Sequence, residues 1–206
     1  MKVVSRTALV KSLGATSLKD GQVRFRVWAP RCQTVEIEIV SPGVARIPLD
    51  PAEGGYFTGI TKGGAGLRYF FVLDRERHRP DPASGALPEG VHGPSEVINT
   101  AVYPWTDDAW RGLPLQDMVI YELHVGTLTP EGTFDAVIPR LPALRELGVT
   151  AIELMPVVSF PGVRNWGYDG VGLFAPQWNY GGPAGLMRLV DACHAHGLAV
   201  ILDVVY

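Results

Sequence analysis

The first half of the chain alternates apolar and polar residues with a period of two, which is typical of strands that bury one face. The alternation is clearest at 23–28 (VRFRVW) and 35–39 (VEIEI), and the run at 67–73 is more uniformly apolar. Glycine and proline turn signals separate these runs. Short strands at this spacing predict an all-β sandwich over residues 21–103, preceded by an N-terminal segment at 1–20.

A different pattern follows a predicted linker at 104–116. Over residues 117–206, strand-like apolar runs alternate with segments of helical apolar spacing. The strand-like runs lie at 118–123, 151–155 and 199–205. Near-continuous apolar strands separated by helices predict a parallel sheet, and we expect 118–123 to be covered on both faces. Periodicity leaves a barrel and a doubly wound sheet equally open.

Two segments in this half have the spacing of amphipathic helices. The first, at 134–147, contains Pro139 and Pro142, so we expect it to kink or restart there before it ends at Gly148. The second lies around 186–193 and is closed by a glycine. The predicted order in this half is therefore strand, helix, strand, helix, strand.

Composition narrows the possible functions. The chain has 18 basic and 21 acidic residues and a net charge of −3 without any block of like charge, so nucleic acid and membrane surfaces are poor partners. No apolar run approaches the roughly 20 residues that cross a bilayer. The interrupted apolar stretch at the start and the two distant cysteines predict a cytoplasmic location. Without a phosphate-binding glycine loop or a Cys/His metal set, we predict neither a cofactor nor a metal.

The long loop at 156–183 carries the most informative chemistry. It follows the second predicted strand, and in parallel α/β folds functional groups gather at the carboxyl ends of strands. Aromatic residues in this loop are interleaved with glycines and hydrogen-bonding side chains. Sugar rings present apolar faces ringed by hydroxyls, which suits flat aromatic platforms with polar rims. The pattern indicates a carbohydrate cleft, unless these aromatics only pack the loop onto the sheet.

Five stretches, in the same order, resemble glycoside hydrolase family 13, the α-amylase superfamily. They are VIYELHVG (119–126), LGVTAIELMP (147–156), WGYDG (166–170), YGGP (180–183) and LDVVY (202–206). Upstream, FRVWAP (25–30) resembles the opening of the starch-binding (early-set) sandwich found in several branches of that family. The resemblance implies a β-sandwich followed by an α/β domain, here the first three βα units of a truncated (β/α)₈ TIM barrel.

Within the family, the segments DPAS (81–84) and PEGVHGPS (88–95) resemble the trehalose-releasing branch, the malto-oligosyltrehalose trehalohydrolases. That branch implies retaining cleavage of an α-1,4-glucosidic bond in an α-glucan partner, a trehalose-capped malto-oligosaccharide. Two alternatives stay open: a branching or debranching enzyme of α-1,4-glucan, and a non-catalytic glucan-binding module.

The resemblance also assigns roles to four residues. Tyr168 matches the tyrosine that stacks on the ring being cleaved, and Asp203 matches an aspartate that supports the active-site network. Trp166 and Asp169 are assigned as neighbouring substrate-binding residues. The nucleophile and the acid/base of the family lie on later strands, so none of the 206 residues is expected to be catalytic, and we expect this chain alone to be inactive.

Other candidates are expected to be structural. His124 stands at a strand end but is expected to form hydrogen bonds that hold the fold. Glu122 and Glu153 lie within strands, where a structural or salt-bridge role is favoured over catalysis. Trp28 is expected to pack inside the sandwich.

Overall fold

The computed structural model describes residues 13–205, which form two compact units. The first unit comprises the described residues up to Ser84 together with Pro94–Asn99, and the second comprises Gly85–Gly93 and the residues from Thr100 onward. The structure thus divides the chain at different residues from the predicted segments 1–20, 21–103 and 104–116. Residues 85–93, predicted as part of the sandwich, belong to the second unit because Leu87 and Val91 pack there against Ala175.

The first unit is a sandwich of two antiparallel sheets. Its strands are β1 (Gly14–Ser17), β2 (Gln22–Trp28), β3 (Val35–Ser41), β4 (Ala45–Pro48), β5 (Asp50–Ala52), β6 (Tyr56–Lys62), β7 (Arg68–Leu73), β8 (Arg77–Arg79) and β9 (Ser95–Glu96). One sheet has the order β1-β2-β6-β5, and the other has the order β4-β3-β7-β8 with β9 paired to β7. Strand β1 lies inside the predicted N-terminal segment, where the sequence has no apolar alternation that would predict a strand.

The period-two prediction is confirmed in the sandwich core. Alternate residues of β2 and β3 are buried, and with β7 they fill the space between the sheets. A buried polar contact joins this core to the following turn: the Tyr69 hydroxyl donates to the Asp81 carboxylate, and the Asp81 backbone N–H donates to Ser95 Oγ at 2.8 Å. Burial, followed by the neighbouring Asp81 charge, raises the pKa of Tyr69 well above its usual value.

The prediction for Trp28 is wrong. Its side chain is 59% exposed because it follows the buried Val27 on β2 and therefore points outward. Its indole N–H donates to the Gly54 carbonyl at 3.1 Å, which fixes the ring at the surface.

The second unit contains a parallel sheet with helices. Its elements are β10 (Ile120–Leu123), α1 (Val125–Leu128), α2 (Phe134–Val137), α3 (Leu141–Glu146), β11 (Ala151–Leu154), β12 (Val158–Ser159), β13 (Gly172–Pro176), α4 (Gly182–Ala195) and β14 (Ala199–Leu202). The sheet has the order β10-β11-β14, and β12 and β13 form a separate antiparallel pair within the long loop. The predicted restart at the prolines is confirmed, because a 3₁₀ turn at Ile138–Arg140 separates α2 from α3.

One face of this sheet packs on the helices, with a core that includes Leu123, Ile152, Leu154 and Leu189. The other face is less covered than predicted for 118–123: Ile120 is 45% exposed, and Glu122 is exposed as well. Within residues 13–205, the helices of the second unit cover only one side of the strand that we expected to be buried on both.

The predicted linker contacts helix α4. Both the backbone N–H and the hydroxyl of Thr106 donate to the Asp191 carboxylate, at 2.9 and 3.0 Å. Next to it, Asp107 Oδ2 lies 2.7 Å from His194 Nδ1, and the Trp110 ring stacks on the His194 ring at a centroid distance of 4.6 Å. Segment 105–111 is therefore held along the helix rather than extended in solvent.

Candidate active site

The carboxyl ends of the three parallel strands meet at one edge of the sheet. Leu123, Leu154 and Leu202 stand side by side in the register, so the residues that follow them emerge together. These residues are His124, Met155 and Asp203. This edge carries two of the residues that the sequence had singled out, His124 and Asp203.

The structure joins Tyr168 to Asp203. The Tyr168 hydroxyl donates a hydrogen bond of 2.9 Å to Asp203 Oδ2, although the two residues are 35 positions apart in the chain. This hydrogen bond is the largest cause of a raised pKa of Tyr168, and the negative charges of Glu122 and Glu153 contribute less. The phenol stays neutral as a donor, while its ring remains 49% exposed.

Gly167 fixes the direction of the loop that carries Tyr168. Its φ of +101° lies in the left-handed region, and a Cβ at this position would come within 2.4 Å of the Pro156 carbonyl oxygen. The Gly167 N–H also donates to Asn165 Oδ1 at 2.7 Å, and Asn165 Nδ2 donates to Asp169 Oδ2 at 3.3 Å. Asp169 therefore contacts the loop itself and supports its turn.

His124 anchors the same loop to the end of β10. Its Nε2 lies 2.8 Å from the Asn165 carbonyl oxygen, and since a carbonyl can only accept, Nε2 carries the proton. In the neutral ring Nδ1 is then the acceptor, and the Thr127 hydroxyl lies 3.3 Å from it. These contacts agree with the predicted hydrogen-bonding role of His124.

Trp166 stands beside His124 with its ring at a centroid distance of 5.8 Å, and its side chain is 69% exposed. It borders a cavity of about 390 Å³, within the roughly 300–1,000 Å³ range of small-molecule sites. The cavity is lined by His124, Gly126, Thr127, Val163, Arg164, Asn165, Trp166 and Tyr180. The cavity thus combines an open aromatic ring with hydroxyl, guanidinium and amide groups.

Two lining residues, Arg164 and Thr127, were not singled out from the sequence. A single arginine or threonine in a loop carries no pattern of its own, and these two are 37 positions apart in the chain. Tyr180, by contrast, is buried and packs edge-on against Phe134 and Phe160, so it is a core residue that anchors the loop.

The other loop aromatics lie outside this cavity. Trp178 covers Gly182, where an added Cβ would come within 2.8 Å of the indole, and Phe174 lies in the antiparallel pair of the loop.

Glu122 and Glu153 are neighbours in the register of β10 and β11, and no salt bridge joins either to another residue of 13–205. In that range no three His, Cys, Asp or Glu side chains are grouped to hold a metal ion.

A known family matches the part of the chain that contains the strand ends, the aromatic loop and the Tyr168–Asp203 contact. Residues 94–206 match the family described as alpha amylase, catalytic domain. The chain belongs to the α-amylase family. Residues 12–87 match carbohydrate-binding module 48, the isoamylase N-terminal domain, so the sandwich and the parallel sheet of this α-amylase family chain match two separate families. The resemblance found in the motifs is confirmed.

Similar proteins cover nearly all of this chain. A malto-oligosyltrehalose trehalohydrolase of Saccharolobus solfataricus is 49% identical over 92% of the chain and 33% of the relative. One from Deinococcus radiodurans is 48% identical over 94% of the chain and 32% of the relative. A crystal structure described as an alpha amylase from Salmonella typhimurium has a TM-score of 0.89 at 44% identity, covering 94% of this chain and 33% of that one.

The α-amylase family chain therefore spans about a third of the length of the curated relatives that it matches. No helix among residues 13–205 combines the length and apolar character that a membrane crossing requires.

Proposed function

We propose that this chain is part of a retaining α-glucan hydrolase that releases trehalose from trehalose-capped malto-oligosaccharides. The observation that carries the proposal is the Tyr168–Asp203 hydrogen bond at the carboxyl edge of the parallel sheet. It holds an aromatic ring with an open face beside a carboxylate, as a sugar subsite requires. Relatives named malto-oligosyltrehalose trehalohydrolase at 48–49% identity support the choice of substrate.

In this proposal Tyr168 stacks on the ring at the cleaved bond, and Asp203 orients Tyr168 while supporting the charge network of the cleft. Trp166 and Asp169 are neighbours on the same loop: Trp166 offers a second exposed ring, and Asp169 supports the turn. Arg164 and Thr127 add donors at the wall of the 390 Å³ cavity. A neutral glucan suits this mixture, because its hydroxyls use donors while its ring faces use aromatics.

Retaining cleavage requires two carboxyl groups about 5–5.5 Å apart, one as nucleophile and one as acid and later base. We propose that later strands of a (β/α)₈ barrel supply both, and that β10, β11 and β14 are its first three strands. The 206 residues alone would then bind part of the substrate without turning it over. A cytoplasmic location is also proposed, supported by two cysteines that are both free thiols.

The test compares two substrates with the full-length protein that contains this chain. A trehalose-capped malto-oligosaccharide should be cleaved with a much higher kcat/KM than the uncapped oligosaccharide of equal length, and trehalose should be the small product. New α-1,6 linkages would instead identify a branching enzyme. Binding without any turnover by the full-length protein would identify a glucan-binding module.

A further inference from the structure

The sandwich has a cavity beside the loop that joins β6 to β7. Its volume is about 380 Å³, within the roughly 300–1,000 Å³ of small-molecule sites. It is lined by Ile39, Ser41 and Pro42, at the end of β3, and by residues 62–67. All of these residues belong to the first unit. We call this surface the Lys62 cavity.

We propose that the Lys62 cavity binds the phosphate group of a small phosphate monoester. The proposal goes beyond the proposed function, since it concerns the sandwich alone and requires no hydrolysis. It rests on the charge of the lining residues, on the backbone donors of the loop and on the apolar part of the wall.

Lys62 sets the charge of the cavity, because it is the one charged residue in the lining. Its side chain is exposed, and within residues 13–205 no ion pair or hydrogen bond joins its ammonium group to a neighbour. By contrast, Arg46, Arg68 and Arg77 of the same sandwich are each paired with a carboxylate. An anion that enters the cavity therefore meets an ammonium group for which no lining carboxylate competes.

The loop adds backbone N–H donors to this charge. Among the described residues, none accepts a hydrogen bond from the N–H of Gly64 or of Ala65. The flanking Gly63 and Gly66 both donate to backbone carbonyls at 2.9 Å. Consecutive backbone N–H groups in a turn are a common anion-binding arrangement, and the Ser41 hydroxyl supplies a further donor in the lining.

The turn that carries these donors has a defined conformation. The Leu67 N–H donates to the Gly64 carbonyl at 3.2 Å, and Gly66 has a φ of +88°. Ala65 does not have a positive φ, so residues 64–67 form a type II β-turn with Ala65 in its second position. Because the donors are held in a turn before a ligand arrives, less conformational entropy is lost on binding.

The remaining wall favours an organic phosphate over an inorganic anion. Ile39, Pro42 and Leu67 contribute apolar surface to the cavity. An inorganic anion would leave this surface in water, whereas the carbon skeleton of a phosphate monoester would cover it. A sugar phosphate and a nucleoside monophosphate share this chemistry, and the experiment below separates them.

Lys62 itself reports on the cavity. The chain has four lysines, of which only Lys19 and Lys62 lie within the described residues. Acylation of both lysines in the full-length protein can be followed by peptide mass spectrometry with glucose 6-phosphate, adenosine monophosphate or sulfate, at constant ionic strength. We expect a phosphate monoester to slow acylation of Lys62 several-fold at saturation, because it covers the ammonium group. Lys19 is exposed and outside the lining, so its rate should stay the same.

The ester that protects Lys62 at the lower concentration identifies the source of the phosphate group. Titration calorimetry with that ester then tests the donors one by one. Lys62→Gln should weaken binding about tenfold or more, and Lys19→Gln, the matched change at another exposed lysine, should bind like the wild type.

The backbone donor is tested in the same way. Ala65→Pro removes one N–H, and proline suits the second position of a type II turn, so this variant should fold and bind about tenfold more weakly. Ala65→Ser keeps the N–H and should bind like the wild type.

Four results would overturn the proposal. The first is an unchanged Lys62 rate with either ester, and the second is equal slowing of Lys62 and Lys19, which would show charge screening only. The third is equal protection by sulfate and by the esters, and the fourth is a folded Ala65→Pro variant that binds like the wild type. Loss of trehalose release by the full-length protein would bear on the proposed function and leave this proposal standing.

Discussion

Tyr168 and Asp203 are joined by a hydrogen bond of 2.9 Å in which the phenol donates to the carboxylate. The contact ties the loop after the second parallel strand to the end of the third. It gives each residue a role that depends on the other: the ring is oriented by the carboxylate, and one carboxylate oxygen is occupied by the phenol.

The first prediction concerns this coupling. In the full-length protein, Tyr168→Phe keeps the ring but loses the hydrogen bond, and we expect kcat/KM on the trehalose-capped substrate to fall about tenfold. Tyr168→Ala should fall further because the stacking face is lost as well. The double variant Tyr168→Phe with Asp203→Asn should be no worse than the poorer single variant. Strictly additive losses would contradict the coupling, and Tyr56→Phe in the sandwich is the matched control.

A second prediction follows from the raised pKa of Tyr168. Because the Asp203 carboxylate stabilises the neutral phenol, Asp203→Asn should lower the pKa of Tyr168 toward its ordinary value of 10.0. The shift can be read from the ring carbon of tyrosine in an NMR pH titration, with Tyr168→Phe to assign the signal. A pKa of Tyr168 that does not move in Asp203→Asn would show that the hydrogen bond is not its main cause.

The third prediction tests how segment 105–111 is held on α4. His194→Ala removes the contact with the buried Asp107 and the stacking partner of Trp110. The loss of about 1–3 kcal/mol should raise local opening, and therefore trypsin cleavage after the exposed Arg111, by about fivefold or more. Asp135→Asn breaks an exposed pair with Arg188 and should leave the cleavage rate unchanged. Equal rates in all three proteins would mean that the segment is not held by His194.

The fourth prediction concerns alkaline pH. Burial raises the pKa of Cys193 from 9.0 to about 12, so the folded chain keeps this proton where the unfolded chain loses it. Stability from this group is complete below pH 9 and is lost progressively as pH rises toward about 12. Thermal melting between about pH 8 and about pH 11 should therefore decline more steeply in the wild type than in Cys193→Val. Parallel declines would exclude the thiol as the cause.

The sequence was sufficient to predict an element where a single local pattern determines it. Alternation located β2 and β3, a more uniformly apolar run located β7, and the prolines located the break between α2 and α3. It was insufficient for β1, which pairs with β2 but contributes only Ala15 to the apolar residues packed against the sandwich core. The sequence also does not show whether other residues cover an aromatic side chain that points outward from a strand. Trp28 was therefore wrongly predicted to pack inside the sandwich.

For the candidate site, the sequence likewise predicted individual residues but not the contacts between them. Two separate motifs, WGYDG (166–170) and LDVVY (202–206), pointed to Tyr168 and to Asp203, but their hydrogen bond depends on the path of a loop of nearly thirty residues. The contacts between Thr106 and Asp191 join positions 85 apart, which local spacing cannot predict. Arg164 and Thr127 became candidates only when the cavity they line was visible.

The most direct test of the central claim is a proton NMR time course of the full-length protein acting on a trehalose-capped malto-oligosaccharide. We predict that trehalose appears as the first small product and that the new reducing end forms as the α anomer, because cleavage retains configuration. A β anomer formed first, or glucose and maltose released without trehalose, would contradict it.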